Sequence, residues 1–342
     1  MRASRLLRLI LHLLLRLGYR YEVRGLEHAA IIRPGAKVLV VVNHISFLDG
    51  ALLMACLSEI PVFAINTAMA NRWWLRPFRR IASLSPLDPT DLMAVKELMG
   101  RINAGIPCVI FPEGRLSVTG ALMKIYAGPA YIADRTGATI LPVRLDGPEL
   151  TPFSRLRQGQ VRRHWFPKIV ITVCPPTRLA LDPALRGKER RQAANLQLYD
   201  IMSDKVFRTA DWGPTLFAAL LRARWRHGWR YPAVEDTSGV RLDYTRLVAG
   251  ALVLGRRFAA VTQPGERVGV LLPNVNAAVV VFYALPAFGR VPAMLNFSAG
   301  PANLEAAAVT AGLKLVISSG EFVAKATLEP AVAAIGGPAP FL

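Results

Sequence analysis

Between residues 38 and 174 the chain alternates short runs of Val, Ile and Leu with longer stretches of helical periodicity. Nothing else in the sequence limits the fold as much. Residues 38–42, 61–65, 107–111, 139–145 and 169–174 read as strands, and residues 51–57, 91–104, 124–135 and 189–207 as helices. Runs that are apolar at nearly every position, rather than at alternate ones, belong to strands covered on both faces. Strand and helix in alternation then give an α/β fold with a largely parallel sheet.

A chain of 342 residues suits about two domains. A proline- and charge-rich stretch at 175–191 and the helix at 189–207 lead to Asp211-Trp212-Gly213-Pro214, which marks a boundary. The aromatic and basic residues 216–231 read as a surface helix or linker. A second α/β unit follows, with a helix at 244–260 and strands at 267–272, 291–295 and 315–318 separated by helices at 277–288 and 304–311. The expected organisation is an interfacial helix over 1–20, a first domain over 21–210 and a second, incomplete domain over 211–342, with no internal repeat.

The first seventeen residues are leucines punctuated by arginine. On a helix, Arg2, Arg5, Arg8, His12, Arg16 and Arg20 share one sector of about 120°, and leucines fill most of the rest. A spanning helix needs about 20 mostly apolar residues, and this run is shorter and charged. No small-residue cleavage site follows, as a secretory signal requires. The pattern fits a helix lying in a membrane interface with arginines reaching headgroups. The alternative is a first helix packed on its own domain.

The net charge of +19 draws the chain to anionic surfaces. Zinc-finger spacing and aromatic ribonucleoprotein signatures are absent, so an anionic membrane surface is the expected partner rather than nucleic acid. Cys56, Cys108 and Cys174 are far apart and read as reduced thiols, which suits a cytoplasmic location. No metal or cofactor is suggested by ligand spacing. A Gly-x-Ser-x-Gly elbow and a Walker loop are also missing, against a serine hydrolase or a P-loop enzyme.

Chemistry concentrates at two strand ends. Asn43-His44-Ile45-Ser46-Phe47-Leu48-Asp49-Gly50 follows the run 38–42 and precedes an apolar helix. Functional sites in α/β folds gather at carboxyl ends of strands. Asp49, near the start of the helix, is placed to accept a bond from the His44 imidazole and leave its other nitrogen free for a proton. By itself His-x4-Asp is a weak signal, since a strand-end histidine is more often a turn residue and Asp49 a helix cap. The second segment, Phe111-Pro112-Glu113-Gly114-Arg115, follows the run 107–111. Arg115 has the fork that grips phosphate, Gly114 lets backbone approach a ligand, and Glu113 is suited to bind a hydroxyl or hold Arg115. Read alone, this segment is also compatible with a local ion pair in a surface turn.

Together with Ile140-Leu141-Pro142-Val143, these blocks resemble the lysophospholipid and glycerolipid acyltransferase (PlsC-like) family over about residues 5–205. The resemblance implies transfer of a fatty acyl group from a thioester of acyl carrier protein or coenzyme A to a lysophospholipid hydroxyl. His44 is then the base and Asp49 its partner. Glu113, Gly114, Arg115, Asn43, Ser46 and Lys124 bind the acceptor. Backbone amides near 43–46 are candidate oxyanion donors. Arg79 or Arg80 is the candidate for a further arginine block seen in relatives.

Pro86-Leu87-Asp88-Pro89-Thr90, Leu122-Met123-Lys124-Ile125-Tyr126 and Phe153-Ser154-Arg155-Leu156 look like the bifunctional 2-acylglycerophosphoethanolamine acyltransferase/acyl-acyl carrier protein synthetase group, in which an adenylate-forming domain follows. Residues 265–274 and 287–293 are similar to the opening of adenylate-forming ligases. Their Pro-Lys-Gly phosphate loop is absent, so ligase activity is not expected and the second domain reads as cut short. The acceptor implied is 2-acylglycerophosphoethanolamine, with 1-acylglycerol-3-phosphate as alternative, at the cytoplasmic face of a bacterial inner membrane. A ligase fragment and a non-catalytic membrane scaffold are the readings of other classes.

Overall fold

A computed structural model of the chain describes residues 2–57, 59–65, 83–86, 92–156 and 160–336, with backbone alone at 2–8, 86 and 92. The chain divides into two compact units, Met1–Ala210 and Asp211–Leu342. Arg79, Arg80 and residues 87–90 of the Pro86–Thr90 block lie outside the described residues.

The first unit is built on a seven-stranded sheet in the order β1-β7-β6-β2-β5-β3-β4. Its strands are β1 (Tyr21–Arg24), β2 (Val38–Val42), β3 (Val62–Ile65), β4 (Leu84–Pro86), β5 (Cys108–Ile110), β6 (Thr139–Asp146) and β7 (Ile169–Val173). All neighbours pair parallel except β6 and β7. The sheet is mixed α/β and dominated by parallel pairs. The edge strands β1 and β4 were not legible from apolar pattern because they are short and carry polar residues (Tyr-Glu-Val-Arg and Leu-Ser-Pro).

All five residues of β2 are buried, and they feed two cores. Val38, Val40 and Val42 pack with α1 (Arg2–Gly18) and α2 (Asp49–Cys56) on one face. Leu39 and Val41 pack with α3 (Leu92–Asn103), α4 (Ala127–Thr136) and α5 (Gly187–Arg208) on the other. Each such side chain contributes about 1.5–3 kcal/mol on burial, so the middle of the sheet is the rigid part of the unit. The β2–α2 junction is therefore a fixed platform.

Helix α1 is part of this unit. Leu15 and Tyr19 are buried in the first core and Leu11 packs against it. His12, expected in the basic sector, turns inward instead: its Nδ1 lies 3.2 Å from the Ala55 carbonyl and 2.8 Å from the Tyr21 hydroxyl. An imidazole with two polar partners beside α2 is better placed there than in solvent. Among the described residues no helix is long and apolar enough to cross a membrane.

The second unit opens with α6 (Leu216–His227), so the aromatic and basic stretch is largely helical. A hairpin of β8 (Pro232–Glu235) and β9 (Arg241–Asp243) follows, then α7 (Tyr244–Val261). A parallel three-stranded sheet has β10 (Arg267–Val270) between β11 (Val291–Met294) and β12 (Val316–Ile317). Helices α8 (Asn276–Ala287) and α9 (Pro301–Ala311) make the crossovers, and α10 (Gly320–Lys325) and α11 (Glu329–Gly336) complete the described part.

Candidate active site

The loop from β2 to α2 carries a buried carboxylate surrounded by donors. Asp49 is fully buried, and its Oδ2 accepts from the His44 ring Nδ1 at 2.8 Å and from the backbone N–H groups of Ile45 and Ser46 at 2.8 and 3.0 Å. Since a carboxylate can only accept, Nδ1 carries the hydrogen and Nε2 keeps its lone pair when the imidazole is neutral. The His44 side chain is 23% exposed, so one edge of the ring reaches the surface while its partner is sealed. The Phe111 ring stacks on His44 at 4.2 Å and fixes the plane of the imidazole.

The second motif grips the first. Glu113, 1% exposed, accepts the backbone N–H of His44 through one oxygen and that of Met123 through the other, both at 3.0 Å. The His44 carbonyl in turn accepts from the Ser117 N–H at 2.7 Å. Thus the turn after β5 holds both backbone groups of His44. Burial pushes the Glu113 carboxyl above its ordinary pKa, opposed by those two N–H donors and by the charges of His44 and Lys205. Gly114 has φ +64, and a β-carbon there would stand 3.1 Å from the Tyr126 ring, so both conformation and space ask for glycine.

Several expected binding residues occupy bracing positions. Asn43 donates from Nδ2 to the Leu145 carbonyl and accepts the Leu145 N–H, both at 2.9 Å, which spends its amide on β6. Ser46 is buried, accepts the Leu48 N–H on Oγ and lies 3.4 Å from the Thr151 hydroxyl. Glu113 faces inward and forms no ion pair with Arg115. The amides of His44, Ile45 and Ser46, expected as oxyanion donors, are taken by Glu113 and Asp49. The carboxylates that hold the loop thus use the hydrogens of three of the amides named for an oxyanion. Arg115 is exposed and, among the described residues, held by no hydrogen bond or ion pair, so its fork is open to a ligand. Lys124 stands 5.9 Å over the Tyr126 ring, beside the Gly114 turn.

Tertiary structure adds residues that no local pattern marks. The segment 151–156 lies along the His44 loop: Ser46 bridges Ser154, and the Phe47 N–H donates to the Phe153 carbonyl at 3.0 Å. The Arg163 guanidinium binds the Thr151 and Leu156 carbonyls at 2.7 Å each, and also Ser154 Oγ. The Arg155 guanidinium sits 5.5 Å over the Phe47 ring. On the opposite face, Lys205 of α5 is 3% exposed and donates to the Val143 carbonyl at 2.9 Å, one strand from the His44 loop. Burial lowers its ammonium pKa to about 7, with Glu113 and Cys174 pulling it back up. Outside the Arg163 clamp, these contacts join residues at least 62 apart in the chain. Among the described residues no group of three or more His, Cys, Asp or Glu is arranged to hold a metal ion.

Residues 20–146 match the Acyltransferase family model, and residues 221–337 match the AMP-binding enzyme model. The chain joins an acyltransferase-family domain to an AMP-binding-family region. It is 27% identical over 136 residues to "1-acyl-sn-glycerol-3-phosphate acyltransferase BAT2, chloroplastic" of Brassica napus, covering 38% of each chain. Against "1-acyl-sn-glycerol-3-phosphate acyltransferase LPAT1, chloroplastic" of Arabidopsis thaliana it is 26% identical, covering 38% of this chain and 36% of that one. The chain thus spans under two fifths of the length of these curated relatives. Among solved structures it is similar to the 1-acyl-sn-glycerophosphate acyltransferase PlsC from Thermotoga maritima, with 20% identity, a TM-score of 0.40 and coverage of 55% of this chain and 72% of that one.

Proposed function

We propose that the first unit transfers a fatty acyl group from a thioester to the free hydroxyl of a lysophospholipid. The observation that carries this reading is the 2.8 Å contact from His44 Nδ1 to a sealed Asp49, which leaves Nε2 basic at the protein surface. Nε2 takes the proton of the acceptor hydroxyl as its oxygen attacks the thioester carbonyl. The carbon–sulfur bond then breaks, an ester remains, and the proton leaves with the thiol. Asp49 holds the tautomer and stabilises the imidazolium, a form of base catalysis worth about 10²–10⁴-fold. Arg115 and Lys124 attract the acceptor phosphate. Glu113, Asn43 and Ser46 keep His44 in place, since their polar atoms are already engaged with the loop and its supports.

Two acceptors remain in view, each favoured by a different observation. The curated relatives are named for 1-acyl-sn-glycerol-3-phosphate. The AMP-binding region that follows favours 2-acylglycerophosphoethanolamine, with acyl carrier protein or coenzyme A as the donor's carrier. The proposed setting is peripheral, with α1 on an anionic membrane surface at the cytoplasmic face of a bacterial inner membrane. The test is transfer of labelled acyl groups from acyl-acyl carrier protein and acyl-coenzyme A to each lysolipid in liposomes. Product from the wild type, lost in His44→Ala, supports the reading. An inactive wild type that still binds the liposomes replaces it with a membrane scaffold.

A further inference from the structure

Helix α1 has two apolar faces. Leu11 and Leu15 go to the core, whereas Leu9, Ile10, Leu13, Leu14 and Leu17 are exposed, Leu17 by 84%. At about 100° per residue the exposed set covers an arc of about 140°. A helix packed on its own domain normally turns polar residues outward, so this outer arc is not explained by the fold of the unit.

A second exposed apolar element lies at the end of that arc. Trp165 and Phe166, before β7, are 67% and 64% exposed. A β-carbon at Gly18 would stand 3.5 Å from the Phe166 ring, and the Tyr19 and Phe166 rings meet edge to face at 6.0 Å. Leu14 and Gly18 are one helical turn apart on one side of α1, so Phe166 continues the strip begun by Ile10 and Leu14. The pairing of β1 with β7 fixes this neighbourhood, because β1 follows α1 directly. Exposed Arg16, Arg20 and Arg162 border the strip. Lys168 is there too, bound to Glu22 at 2.8 Å, and Glu22 also holds Arg24. Five cations thus stand against one carboxylate.

We propose that the turn 162–168 is a lipid-inserting element which, with the outer arc of α1, forms one surface for an anionic bilayer. Tryptophan and phenylalanine beside arginine suit the boundary between headgroups and acyl chains. The positive rim selects an anionic partner over a second copy of this chain, which is itself strongly basic. The turn is also tied to the catalytic loop. Arg163 points inward from it and clamps the segment 151–156, which bridges to Ser46. Seating Trp165 and Phe166 in lipid thereby holds the His44 loop near the bilayer that contains its acceptor. That functional meaning rests on the acyl-transfer reading, whereas the surface itself rests on the geometry alone.

The experiment is vesicle co-sedimentation of the full chain with pure phosphatidylcholine and with an equimolar phosphatidylcholine–phosphatidylglycerol mixture. The wild type should prefer the anionic vesicles and lose that preference as salt rises. Trp165→Ala combined with Phe166→Ala should lower binding about tenfold, with an unchanged melting temperature. Lipids with brominated acyl chains should quench the wild type's fluorescence more than that of Trp165→Phe. Unchanged binding by the double variant, or no difference in quenching, overturns the proposal. So does light scattering that finds a dimer in solution abolished by the same double variant. Trp165-dependent binding by a wild type without acyl-transfer activity supports the surface and overturns only the catalytic reading.

Discussion

The exits of two central parallel strands, β2 in the first unit and β10 in the second, have the same architecture and opposite chemistry. Each strand is buried, apart from Arg267 at the start of β10, has a parallel neighbour on both sides and runs through a short loop into an apolar helix. After β2 come His44 and Asp49, joined at 2.8 Å and braced by Glu113 from another strand end. After β10 come Leu271-Leu272-Pro273-Asn274-Val275, without a titratable side chain. There the polar groups serve the helix: the Asn276 N–H donates to Asp236 at 3.3 Å, and Asn276 Nδ2 donates to the Val240 carbonyl at 2.9 Å. A parallel strand's carboxyl end is therefore only a location. It gains chemistry where a second segment supplies enough hydrogen bonds to keep an ionisable pair in place below the surface.

The largest effects are expected from removing the central group at each of the two exits. His44→Ala should cost at least about two orders of magnitude in acyl transfer with little loss of stability, and Asp49→Asn should approach it. Asn276→Ala should cost about 1–2 kcal/mol of stability in the second unit and leave transfer unchanged. Kinetics and urea unfolding of the three variants check both halves. Equal loss of activity in Asn276→Ala would dissolve the distinction between the two exits.

Next in size is the brace. Glu113→Gln keeps the shape but replaces one of the two accepting oxygens with a donor, so either the His44 or the Met123 N–H loses its partner. The expected cost is about 1–3 kcal/mol, together with weaker acyl transfer because the His44 backbone loosens. Urea denaturation and kcat/KM measure the two effects.

Lys205 gives the first unit a pH dependence of its own. Between about 7, the folded value, and the ordinary lysine range, the unfolded chain holds the proton and the folded one does not. Stability from this group therefore rises with pH across that window, by up to about 1.4 kcal/mol per pH unit. Lys205→Met removes this rise, and unfolding curves at several alkaline pH values for both proteins reveal the difference.

The smallest effect contrasts two glycines of positive φ. Gly114→Ala must adopt φ +64 and also meet the Tyr126 ring, whereas Gly265→Ala, at φ +79, has nothing within 4 Å. About 1 kcal/mol is expected for Gly265→Ala from conformation alone, and more for Gly114→Ala. Thermal melts of both variants test the order.

Residue order alone is enough to read the α/β class, the central strands and the proximity of His44 to Asp49. Those features are local: a fully apolar run has one comfortable place in a parallel sheet, and five residues of separation across a strand–helix turn keep two side chains within reach. It did not reveal β1 or β4, whose short polar sequences become strands only because a neighbour offers hydrogen bonds. The inward turn of His12 was hidden too, since a helical wheel cannot say which of two sides meets the domain. Tertiary structure alone decided that Glu113 braces His44 from 69 residues away, that Arg163 clamps the segment beside Ser46, and that Lys205 stands buried behind β6. The reason is physical. A buried polar group takes whichever partner the packing of distant elements brings to it, and sequence spacing carries no record of that choice.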